Sequence, residues 1–126
     1  MPTSRSSTLA ILDICDLRHP GDARAFLFTD AHGRPATGFL LRLSPSTLVA
    51  FENRCPHWNI PLGDDPSRLF HPAGNVIVCQ THGARFDAHS GLCQTGPCDG
   101  QHLTRFTVLP GPEPGQVTIK RSGLSL

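Results

Sequence analysis

Cys55-Pro-His57 and Cys79-Gln-Thr-His82 each set one thiol beside one imidazole, with 21 residues between His57 and Cys79. These four ligands reach one inorganic centre only if the two segments fold back to a common point, so two loops must pack face to face on a scaffold that holds both. Gly63 and Gly83 follow the pairs. With no Cβ, each permits close approach to sulfur or to the facing loop, and exposes backbone N–H groups toward the centre.

Two thiolates and two imidazoles suit either of two chemistries. One is a tetrahedral structural zinc site, but such sites usually gather like ligands on one loop, as Cys-x2-4-Cys and His-x3-5-His. Here each loop mixes the two kinds. The other is a [2Fe-2S] cluster in which histidines replace two of the four cysteines on one iron. The mixed loops favour the cluster.

Twelve glycines and twelve prolines make up nearly a fifth of the 126 residues, against a usual share of roughly an eighth. Turns are therefore dense and long helices improbable. Apolar or alternating runs at 9–14, 25–28, 38–43, 48–51, 76–78, 103–109 and 117–120 are separated by Pro20-Gly21, His32-Gly-Arg-Pro35, Ser44-Pro-Ser46, Pro72-Ala-Gly-Asn75 and the stretch Pro110 to Gly115. This spacing predicts an all-β fold, an antiparallel sandwich or small barrel. One helical turn fits near 66–70. Both ligand pairs fall just after strand-like segments, on loops, where a rigid β base can bring them together. The length suits one domain, residues 1–126, with a cluster-binding subdomain inserted at about 53–99.

The formal net charge is +1, ten of the eleven basic residues are arginine, and no basic block suggests a nucleic-acid surface. The apolar run 9–12 is too short for a signal peptide or a membrane span. The expectation is a soluble, cytoplasmic protein in a reducing compartment. There the odd count of five cysteines reads as two ligands plus Cys15, Cys93 and Cys98 packing as small apolar residues.

From Cys55-Pro-His57 through Cys79-Gln-Thr-His82-Gly83 and Phe86-Asp87 to Gly91-Leu-Cys-Gln-Thr-Gly96-Pro97, the sequence resembles Rieske-type [2Fe-2S] domains. The resemblance implies that Cys55 and Cys79 bind one iron and His57 and His82 the other. It also implies that a third loop, at Gly96-Pro97, covers the cluster. In the high-potential respiratory branch of that family two further cysteines form a disulfide beside the cluster, and serine and tyrosine hydroxyls donate to sulfur. The matching positions here are Ile60, Thr81, Ala84 and Phe86, and the chain has no tyrosine. Without those donors the reduced cluster keeps more uncompensated negative charge. The expected potential therefore lies near the low end of the roughly −150 to +300 mV Rieske range.

This is similar to the ferredoxins that feed ring-hydroxylating oxygenases. The resemblance thus implies an electron carrier, not an enzyme, docking transiently on a reductase and on an oxygenase-type acceptor. Trp58, Ile60, Pro61 and Pro97 would form an apolar docking rim. The 21-residue connection is longer than those ferredoxins usually have, with 64–71 as the extra segment. Two alternatives remain: a redox- or iron-sensing regulatory protein, and a protein like the small subunit of nitrite reductase. An oxygenase in its own right is disfavoured, because no His-x4-His pair follows for a mononuclear iron.

Among the other residues, Asp87 reads as a turn former with 88–91. His71 and His89 read as exposed non-ligands. His19, His32 and His102 carry no pattern.

Overall fold

The computed structural model describes residues 8–56, 60–81, 83–96 and 100–121. Ten strands follow in chain order: β1 Thr8–Asp13, β2 Ala23–Thr29, β3 Pro35–Ser44, β4 Thr47–Glu52, β5 Phe70–His71, β6 Val76–Val78, β7 Arg85–Asp87, β8 Cys93–Thr95, β9 Arg105–Pro110 and β10 Gln116–Arg121. All pair antiparallel. The first four and last two form a six-stranded sheet in the order β1-β10-β9-β4-β3-β2, and the middle four form a separate sheet in the order β5-β6-β7-β8. β1 and β2, at opposite ends of the large sheet, also touch. The sheet thus curls into a nearly closed barrel, and the Arg121 guanidinium donates to the Thr29 carbonyl at 2.6 Å, tying β10 to β2.

Strand β2 alternates as a half-buried strand should: Phe26 and Phe28 face inward while Leu27, between them, is 76 % exposed. The two phenyl rings meet Phe106 of β9, Phe28 edge-on at 5.2 Å between centroids. Leu40, Ala50, Val117 and Ile119 complete this barrel interior. Strand β3 breaks the alternation, because Phe39, Leu40 and Leu41 are all fully buried. Its Leu40 side faces the barrel interior, and its Phe39 and Leu41 side belongs to a second core with Val49, Phe51, Leu69, Ile77 and Phe86. A strand covered on both faces reads as a continuous apolar run. The small sheet is therefore seated on the outside of the β3–β4 hairpin.

The segment expected as an added loop at 64–71 is ordered and anchoring. Asp65 caps a single 3₁₀ turn at Pro66–Arg68, its carboxylate accepting from the Ser67 amide at 3.0 Å. Leu69 and Phe70 then bury their side chains in the second core. Of the three cysteines expected to pack as small apolar residues, Cys93 is buried, Cys15 is exposed in the turn after β1, and Cys98 lies outside the described residues. Cys15 is displaced from any core because the turn it occupies lies beyond the last β1 pairing, Asp13 with Gln116.

Candidate metal centre

The two ligand pairs head two loops of matching construction. The Cys55 amide donates to the Ile60 carbonyl at 2.7 Å, and the Cys79 amide donates to the Ala84 carbonyl at 2.9 Å. Each loop is thus closed by a bond from the cysteine to the residue five positions on, and in sequence each candidate histidine, His57 and His82, falls inside the closed span. Both cysteines are fully buried, in one apolar cluster with Leu62, Ala84 and Phe86. His57, Trp58, His82 and Pro97 lie outside the described residues. Among the described residues no three His, Cys, Asp or Glu side chains converge.

The loops contact one another as the spacing requires. The Gln80 amide donates to the Leu62 carbonyl at 2.8 Å, bridging the end of the first loop to the start of the second. A Cβ on Gly63 would stand 2.6 Å from Gln80 Oε1 and 3.0 Å from Leu69 Cδ2, so the close approach expected at this glycine is real. Gly83 shows a different local geometry. Its φ is +72° and, among the described residues, nothing lies within 4 Å of where its Cβ would be. Its amide is also engaged, donating to the Cys79 carbonyl at 2.8 Å. Glycine suits the left-handed turn that closes the loop there.

The third loop enters at Gly96, whose φ is +111° and whose missing Cβ would sit 3.0 Å from the Ala84 Cα. Gly96 thus lies against the exit of the second loop. Asp87 behaves as a turn former: its carboxylate accepts from the Ser90 and His89 amides at 2.7 and 3.1 Å. Those bonds, that from the Ser90 backbone first, hold its pKa below the usual carboxylate range despite partial burial. His71 and His89 are exposed.

Sequence reasoning missed Asn53. The Leu62 amide donates to Asn53 Oδ1 at 2.8 Å, and Asn53 Nδ2 donates to the Gly63 carbonyl at 3.0 Å. One side chain thus spans the first loop from entry to exit. A lone Asn before a Cys-Pro carries no periodic signal, and only the tertiary return of 62–63 gives it partners.

Beside this loop runs a shallow groove whose lining includes Asp30, Arg34, Glu52, Arg54, Ile60 and Pro61. Burial pushes the Glu52 carboxyl above its ordinary value, Arg54 at 3.6 Å opposes that, and Asp30 adds to it.

Fit to an iron–sulfur group follows from the donor set. Thiolates are soft ligands suited to Fe–S clusters, and the two cysteines here are fully buried, in one apolar cluster that includes Leu62, Ala84 and Phe86. Buried alanine and phenylalanine at 84 and 86 bring no hydroxyl to the site.

An all-β domain with two like-built loops, each headed by a buried cysteine and each carrying a histidine in sequence, defines a class of small iron–sulfur proteins. The family model described as the Rieske [2Fe-2S] domain matches residues 8–110. The chain belongs to that family, which binds one [2Fe-2S] cluster. Among solved structures it is similar to the ferredoxin of carbazole 1,9a-dioxygenase from Nocardioides aromaticivorans IC177, at 22 % identity and TM-score 0.67, covering 93 % of this chain and all of that one. The terminal oxygenase of carbazole 1,9a-dioxygenase from Novosphingobium sp. KA1 matches at 16 % identity and TM-score 0.69, over 96 % of this chain but 31 % of that one. A putative small subunit of NADPH nitrite reductase matches at 17 % identity and TM-score 0.51, over 88 % of this chain and 98 % of that one. These likenesses establish the fold. No curated protein matches the sequence. Among the described residues no helix is long and apolar enough to cross a membrane.

Proposed function

We propose that Cys55 and Cys79 hold one iron and His57 and His82 the other, and that the protein passes single electrons from a reductase to a terminal acceptor of the oxygenase type. The observation that carries this reading is the pair of like-built loops, each headed by a buried cysteine and each spanning one ligand histidine. When bound, the cluster supplies one-electron oxidation and reduction.

The chain's own residues set the terms of that transfer. Leu62, Ala84 and Phe86 keep water from the thiolates, and the absence of hydroxyl donors at 84 and 86 holds the potential low. Partly exposed Ile60 and exposed Pro61 offer apolar surface beside the first loop, which Trp58 and Pro97, outside the described residues, would extend into a rim suited to a small transient contact. The near-neutral charge implies shallow salt dependence of docking. The oxygenase acceptor is supported by the motif resemblance and by the carbazole dioxygenase ferredoxin among the structural neighbours. A nitrite reductase partnership is the second reading, favoured by the small-subunit neighbour. It is weakened by the presence of all four ligands, which such subunits commonly lack.

Low-temperature EPR of the dithionite-reduced protein, purified without air, with iron and sulfide assayed on the same sample, tests the reading. The expected result is two irons, two sulfides and a rhombic signal whose average g lies below that of all-cysteine clusters. A zinc-containing, EPR-silent protein would overturn it.

A further inference from the structure

Asn53 makes more bonds than a loop asparagine needs. Its own amide donates to the Thr37 carbonyl of β3 at 2.9 Å, fixing it to the barrel. Its side chain then accepts from the Leu62 amide and donates to the Gly63 carbonyl. Leu62 is held from both sides, because its carbonyl accepts the Gln80 amide, one residue past Cys79. An unbroken path of hydrogen bonds therefore runs from the base through Asn53 and the exit of the first loop to the head of the second. Cys55 lies two residues from Asn53 on that path, and Cys79 one residue from Gln80 at its far end.

We infer that Asn53 is a positioning residue for the cluster, setting the separation and orientation of the Cys55 and Cys79 loops through Leu62. The inference rests on the ligand reading proposed above. The amide is chemically required, since one planar group must both accept and donate. A carboxylate at this position accepts from Leu62 but repels the Gly63 carbonyl, and an aliphatic side chain leaves both backbone groups unpaired inside the fold. A partner outside the ligand set that orients ligands tunes the affinity and electronics of the centre, not only the stability of the chain.

The test uses the full chain with N53L and N53D, each measured for g values, midpoint potential and iron retention against a ferrous chelator, with far-ultraviolet circular dichroism as the fold control. For N53L we expect iron retention weakened about 10- to 100-fold, the range for outer partners of metal ligands, with altered g values and a shifted potential. N53D, which keeps the acceptor for Leu62, should fall between N53L and wild type, and is read alone if N53L does not accumulate folded. Wild-type g values, potential and iron retention in the variants, with only a lowered melting temperature, would make Asn53 a stability residue and overturn the inference while leaving the ligand reading intact. A wild-type protein without the mixed-ligand signal overturns both.

Discussion

The base and the tip of this molecule are held by different means. In the base, six strands of six to ten residues pair in antiparallel ladders around a phenylalanine cluster. In the tip, strands of two or three residues cannot bury enough surface to stand alone. Order there comes from loop closures at Cys55 and Cys79, the Asn53 brace, glycines at close approaches, and a core shared with the outer face of β3 and β4. A long sheet supports a shape that the short loops could not hold alone, and bonds within and between the two loops finish it.

Three changes test that contrast. The largest effect belongs to the base. Phe106→Ala removes the ring that meets both Phe26 and Phe28 and should cost about 3–5 kcal/mol, read from urea denaturation. The EPR line shape should be unaltered wherever the protein remains folded, and a changed line shape would show that the barrel interior sets the tip geometry directly.

Removing iron with a chelator should act in the opposite sense. Hydrogen exchange is expected to rise across 53–96 while amides of β3, β4, β9 and β10 stay protected. Equal loss of protection in both regions would erase the distinction between base and tip.

The smallest effect lies at the seam, where Glu52 ends β4 beside the first ligand loop. Its folded pKa is raised, so between the ordinary value of 4.5 and that higher value the folded chain holds a proton the unfolded chain has released. Stability from this group therefore falls as pH rises through that window. Glu52→Gln should remove that slope and leave the protein slightly the more stable at neutral pH. Stability curves of the two forms that stay parallel from pH 4 to 7 would refute the assignment.

Much was legible before any coordinates. Seven of the ten strands match apolar runs between turn signals, because a half-buried strand bounded by Gly and Pro writes its alternation into the chain. The 3₁₀ turn and the Asp87 turn follow equally from local hydrogen bonding. The short strands β5, β7 and β8 were not legible, since two or three residues cannot display a period and their pairing depends on what lies beside them.

The residue types and spacing of Cys55, His57, Cys79 and His82 by themselves determined the candidate ligand set, because metal preference follows from donor chemistry. Tertiary structure alone decided that β3 is buried on both faces, that 64–71 anchors rather than dangles, that Gly63 serves a contact, and that Asn53 braces the first loop. Each of these depends on partners distant in sequence. Such partners leave no local pattern, since a hydrogen bond or a packed face constrains the pair and not the residues between them.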